Sequence, residues 1–316
     1  MADSDRDESL RETVDRSGSG APAGGHVIRD RFTADEIFQR IVVAADEEVV
    51  ARSRKLVAGG LAAGFAITVT FLLYASLTAA TDGDPILSAL LYPLGFVFII
   101  LGDYQLYTEN TLPPVTLVLE RLASVPMLLR IWGLVLLGNF LGGGLGAIAL
   151  SKTGVLSAES AMAAERVAAE AIATPWWALF MKAVVAGLIV AGVVWVDYSL
   201  RDGIARIVMV YLAFLAIPLG NLYHVVVSWT EMLYLVTESD LELMVGITEF
   251  VLPVLLGNSI GGVVLVTVVN YFQTTERRIA TARKADIRPL SRREWLVGGL
   301  SRTDRGYVPV REDADD

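Results

Sequence analysis

The chain has no cysteine, two histidines and four lysines in 316 residues. Without cysteine there is no disulfide, no thiolate metal ligand and no thiol nucleophile. Charge is scarce as well: 19% of residues are Asp, Glu, Lys or Arg, against 54% hydrophobic. The net charge of −9 and pI near 4.9 argue against nucleic-acid binding, which rests on Lys and Arg neutralising phosphates. Residues 1–30 have neither a basic n-region nor an apolar h-region, so no cleavable signal is expected there. HExxH, P-loop and dinucleotide signatures are missing, so no enzyme activity, cofactor or metal is expected.

What the chain does have is long apolar runs. Leu56–Ala80 carries no charge over 25 residues, and Pro85–Gly102, Ile131–Leu150, Pro175–Val196, Ile207–Trp229 and Phe250–Phe272 are similar. A bilayer span needs about 20 apolar residues. The expected fold class is therefore an all-α membrane protein, with six transmembrane helices in a domain over 56–272. Arg52, Arg54 and Lys55 precede the first span; Arg121 and Arg130 separate the second and third. Arg201 and Arg206 separate the fourth and fifth, and basic residues from Arg277 to Arg288 follow the sixth. The alternate loops are poor in positive charge, which places both termini in the cytoplasm and the protein in the cell membrane. Residues 1–33 read as a disordered acidic tail and 273–316 as a basic, then acidic, one. Within 34–55, Ile37, Ile41, Ala45 and Val49 recur at helical spacing, as in an amphipathic helix lying on the inner membrane face. Ser157–Ala173 reads as a weaker, alanine-rich helix outside.

The span region repeats internally. Leu137-Gly138-Asn139-Phe140-Leu141-Gly142-Gly143 recurs as Leu256-Gly257-Asn258-Ser259-Ile260-Gly261-Gly262 at an offset of 119, and Leu106-Tyr107-Thr108 as Leu222-Tyr223-His224 at 116. Two matches in the same order indicate two halves, about 56–150 and 175–272. Three spans is an odd number, so the second half is expected upside down relative to the first, as in many transport proteins. From Pro85 to Ser124 is 40 residues, about 60 Å as a helix at 1.5 Å per residue and twice the hydrocarbon thickness. Thr108-Glu109-Asn110-Thr111 and Pro113-Pro114 are expected to interrupt it; Pro218, Gly220 and Asn221 do the same in the fifth span. Broken helices at matching places of two inverted halves point to a substrate path.

An ionisable group inside a span is a functional candidate by default, which singles out His224. Its imidazole is suited to donate a hydrogen bond, or to charge transiently and attract an anion. Thr108 and Ser228 are further donors at the same depth, and Leu106 and Leu222 are candidate apolar constrictions. Gly138, Asn139, Gly142, Gly257, Asn258 and Gly261 form small-residue faces for helix packing. Gly257–Gly261 also spells G-x-S-x-G, but inside a span and with Phe140 in the repeat copy, so no hydrolase elbow is expected. Lys182, near the outer end of the fourth span, is placed to draw anions inward. Glu109, Glu231 and Glu249 act in the opposite sense.

Over roughly 34–280 the chain resembles the formate/nitrite transporter family. The resemblance rests on Gln105-Leu106-Tyr107-Thr108, Leu137-Gly138-Asn139, Phe180-x-Lys182 through Trp195, His224 with Ser228, and Gly257-Asn258. It implies an aquaporin-like six-helix protomer, a homopentamer with one pore per protomer, and small monovalent anions as substrates. It also implies that His224 and Thr108 form the polar centre, Leu106 and Tyr107 the constriction, and Lys182 the outer vestibule. The family's usual residues differ at Tyr107, Gly187, Tyr223 and Ser228. The expected function is proton-assisted passage of formate- or nitrite-like anions at His224. A channel for neutral solutes such as water or ammonia, or a non-transporting membrane scaffold or sensor, stands as the alternative.

Overall fold

The computed structural model describes residues 32–273 and 289–298, and every regular element among them is a helix. The N-terminal tail and the basic run Arg277–Arg288 lie outside the described residues. Helix α1 (Ala34–Val50) opens with a capping box. The Thr33 hydroxyl accepts from the Glu36 N–H, and the Glu36 carboxylate accepts from the Thr33 N–H. It buries Ile37, Phe38, Ile41, Ala45 and Val49.

Among the described residues four helices are long and apolar enough to cross a bilayer: α2 (Ser53–Ala80), α6 (Val125–Lys152), α8 (Trp176–Asp197) and α11 (Leu243–Gln273). Between α2 and α6 lie the short α3 (Pro85–Ala89), α4 (Leu94–Leu101) and α5 (Pro113–Leu119). Helix α7 (Ala158–Ile172) follows α6, and α9 (Gly203–Leu219) and α10 (Val225–Glu238) follow α8. The short α12 (Arg292–Val297) comes last.

The second and fifth apolar regions are thus discontinuous, but the first break falls elsewhere than its letters suggest. The chain leaves the helix at Gly102, several residues before the polar run, and Glu109–Thr111 forms a 3-10 turn. Pro113 does not interrupt anything: it starts α5 at the first helical position, where its missing N–H has no intrahelical partner to lose.

Two pairs of long helices approach closely through glycines. In α2 against α6, a Cβ built on Gly138 would lie 2.6 Å from the Val57 carbonyl oxygen, and one on Gly142 would collide with the Leu61 carbonyl. In α8 against α11, side chains on Gly257 and Gly261 would collide with the Phe180 and Val184 carbonyls. At one end of the bundle, Arg130 donates to the Ala51 carbonyl (3.3 Å) and the Ser53 hydroxyl (2.9 Å), while the Trp295 indole of α12 donates to the Val118 carbonyl (2.8 Å). At the opposite end α7 covers α2, α6 and α10 through Phe71, Ala75, Ala147, Leu150, Ala164 and Tyr234.

Candidate functional site

The two breaks are built alike. Helix α4 closes with Gly102 N–H to Phe98 C=O (3.0 Å) and Tyr104 N–H to Ile99 C=O (3.1 Å), with Asp103 at φ 54° between them. Helix α9 closes with Gly220 N–H to Ala216 C=O (2.9 Å) and Leu222 N–H to Ile217 C=O (2.9 Å), with Asn221 at φ 48°. A left-handed residue in this place satisfies the last carbonyls and turns the chain out of the helix.

Beyond each cap one asparagine holds the non-helical backbone. The Asn139 amide donates to Gln105 C=O (2.8 Å) and Gly60 C=O (3.0 Å), and its oxygen accepts from Tyr107 N–H (2.9 Å). The Asn258 amide donates to Tyr223 C=O (3.0 Å) and Ala183 C=O (2.8 Å), and its oxygen accepts from Val225 N–H (2.9 Å). Both asparagines are fully buried. Unpaired backbone groups at this depth would be costly, so these side chains do more than pack helices: each supplies the hydrogen bonds that the broken helix has lost.

These bonds fix the register of the repeat in the breaks. Every equivalent pair in the caps and latched backbone is 118 residues apart. The Leu106-Tyr107/Leu222-Tyr223 match at 116 is therefore a coincidence of letters, and the pairing of Thr108 with His224 and of Leu106 with Leu222 is corrected. His224 corresponds to Leu106, and Thr108 to Val226. At 118, Leu94, Phe96, Ile99, Leu101 and Gly102 repeat identically as Leu212, Phe214, Ile217, Leu219 and Gly220. That signal identifies a pair not singled out from sequence. Phe96 and Phe214 stack with centroids 3.8 Å apart, and Phe96 also meets the His224 ring edge-on at 5.0 Å.

Although not equivalent, Thr108 and His224 are brought together: the Thr108 hydroxyl lies 2.8 Å from His224 Nε2, both residues being buried. Among the described residues, His224 Nδ1 and the Ser228 hydroxyl have no hydrogen-bond partner, and both residues line a cavity of about 170 Å³. Leu222 and Tyr223 also line it; Leu106, Tyr107, Thr108 and Lys182 do not. Leu106 is fully buried, and the Tyr107 hydroxyl pairs with that of Ser259 at 2.7 Å. Lys182 stands with Nζ 5.5 Å from the centre of the ring of Tyr223, a residue of the cavity lining. Glu231 and Glu170 line the same cavity.

The formate/nitrite transporter family model matches residues 35–272. The chain belongs to the formate/nitrite transporter family. The Escherichia coli inner membrane protein YfdC is 30% identical over 262 residues, covering 81% of this chain and 84% of YfdC. The Haemophilus influenzae formate channel FocA is 26% identical over 242 residues, covering 68% and 85%. Among solved structures, an FNT family ion channel superposes with a TM-score of 0.65 at 19% identity, covering 76% of this chain and 99% of that one. A pentameric formate channel with formate bound gives a TM-score of 0.61 at 17% identity, covering 70% and 97%. The all-helical membrane fold is thus a formate/nitrite transporter fold, and FocA and the two solved structures are channels.

Proposed function

We propose that the protein passes small monovalent weak-acid anions, formate- or nitrite-like, across the cell membrane, assisted by a proton at His224. The observation that carries this reading is the buried Thr108–His224 hydrogen bond, with His224 Nδ1 and the Ser228 hydroxyl left without a partner among the described residues, on two residues that line the cavity. With the Thr108 hydroxyl donating to Nε2, the imidazole proton sits on Nδ1 and is free to be donated to an anion. Two donors, Nδ1–H and the Ser228 hydroxyl, then meet an incoming anion at the start of α10, where the helix dipole adds partial positive charge. A bare anion crossing an apolar constriction costs many kcal/mol. Sharing a proton there makes what crosses effectively neutral, and fully buried Leu106 fits the apolar side of that step.

In this reading the chain crosses the membrane six times in two inverted halves with both termini cytoplasmic. It assembles as a homopentamer, like the formate channel whose fold it shares. Lys182, held over Tyr223, biases the outer mouth toward anions. Replacing His224 by Phe keeps the aromatic packing on Phe96 and removes both ring nitrogens. Formate uptake into liposomes by His224→Phe is expected to fall at least tenfold and to lose its pH profile. Transport equal to wild type contradicts the reading. Glu170 and Glu231 on the cavity favour a second reading, a channel for neutral solutes such as ammonia. Osmotic swelling of protein-containing vesicles in ammonium salts and in formate separates the two.

A further inference from the structure

His224, Ser228 and Glu231 lie four and three residues apart on one face of α10, and all three line the same cavity. Glu231 is 6% exposed. Among the described residues it has no salt bridge, and no hydrogen-bond donor reaches its carboxylate. The other titratable groups facing the cavity are Tyr74 of α2, Tyr92 between α3 and α4, Glu170 of α7, and Tyr223 and His224 of the break; Lys182 stands over the Tyr223 ring. Helix α6 meets α10 through glycines, with Gly143 against Thr230 and Gly144 against Leu233, and α11 meets it through Gly246 against Met232. Glu170 lies at the exposed rim. Glu231 is the one buried carboxyl on the cavity.

We infer that Glu231 is the proton-binding residue of the vestibule, and that an anion reaches His224 only when the Glu231 carboxyl carries a proton. This rests on the anion reading of the preceding subsection. Ser228 and Glu231, three residues apart on α10, both line the cavity, so an anion held at Ser228 lies about 6 Å from Glu231. Two like charges about 6 Å apart at an effective dielectric of 20 repel enough to weaken binding about a hundredfold. A protonated carboxyl reverses this, because its O–H donates to the anion. The step balances. A proton from the outer solution binds the carboxylate, and the anion accepts a hydrogen bond from the resulting O–H. The proton then leaves with the anion toward His224 as the neutral acid, and the carboxylate must rebind a proton before the next anion enters. Anion and proton thus enter one to one, and Glu231 sets that ratio.

The test uses the full chain in liposomes. Initial rates of radiolabelled formate uptake are measured against formate concentration at external pH 5.5 to 8, with protein-free liposomes subtracted. For wild type the apparent KM is expected to be lowest at the acid end and to rise with pH toward that hundredfold limit as the Glu231 carboxylate forms, with Vmax little changed. In Glu231→Gln, whose amide is neutral at every pH, KM should stay at the wild-type low-pH value, and Glu159→Gln, exposed on α7 and off the cavity lining, should follow wild type. If Glu231→Gln binds formate without passing it, weakly buffered detergent solution supplies the readout: wild type takes up a proton on adding formate, and the variant does not. A wild-type KM profile or wild-type proton uptake in Glu231→Gln overturns the inference and leaves the anion reading standing. No saturable formate uptake by wild type overturns the anion reading and the inference with it.

Discussion

Replacing Asn258 by Ala tests how the second break is held. The side chain makes three buried hydrogen bonds, to Val225 N–H at 2.9 Å, Ala183 C=O at 2.8 Å and Tyr223 C=O at 3.0 Å. At about 0.6 kcal/mol per bond, the average measured inside membrane proteins, their loss comes to about 2 kcal/mol. The truncation also strands three backbone groups around a fully buried position, and each buried orphan costs about 1–3 kcal/mol. The expected destabilisation therefore runs from about 2 kcal/mol, for the bonds alone, to about 9 kcal/mol if all three groups stay orphaned, large against the few tenths expected for an exposed residue on the same helix such as Leu256. The measurement is SDS-driven unfolding of the purified protein in mixed micelles, with Leu256→Ala as control. Because Tyr223 and Val225 flank His224, flux should fall even in protein that stays folded. A stability within about 0.5 kcal/mol of wild type would refute the latch, since not even one of its three bonds would then be worth an ordinary hydrogen bond.

Two further predictions concern packing and pH. Gly187 and Gly192 both lie on α8, but a Cβ on Gly187 would collide with the Asn258 backbone, whereas nothing lies within 4 Å of one on Gly192. Gly187→Ala should therefore lower the melting temperature, at an overpacking cost of about 1–3 kcal/mol. Gly192→Ala should leave it unchanged or raise it, because Ala is the better helix former. Outside the spans, burial pushes the Glu48 carboxyl of α1 up to about 8, with Asp103 adding repulsion and Lys55 opposing it. The folded state then holds a proton that the unfolded chain has already lost, so stability declines as pH rises from the ordinary value of 4.5 to about 8 and is level beyond. Glu48→Gln should match wild type near pH 4.5 and melt progressively higher than wild type up to pH 8. Parallel melting curves across that range would contradict it.

The helical membrane fold was legible because uncharged runs such as Leu56–Ala80 have few other uses. The second break was legible too, since Pro218, Gly220 and Asn221 are all residues that end helices. The first break was harder to read. Pro113 and Pro114 look like breakers but start a helix, while the real turn depends on Asp103 in a left-handed conformation that its letter does not announce. The repeat was visible, yet its register in the breaks was not, because an adjacent two-letter match at 116 stood out over five scattered identities at 118. Only backbone hydrogen bonds rank the two. Thr108 and His224 were singled out separately as polar groups at one depth, and their contact is a product of tertiary structure, not of the repeat that first suggested it. The latch role of Asn139 and Asn258 was hidden in the same way, since an asparagine beside glycines in an apolar helix reads equally well as helix packing.

The central claim is that a weak-acid anion crosses with a proton through the break at His224. Its most direct test is formate uptake by the purified protein in liposomes, with and without an inward proton gradient. The account predicts saturable uptake that the gradient accelerates, and accumulation that collapses when a protonophore is added. Uptake indifferent to the gradient, or none from correctly folded protein, would contradict it.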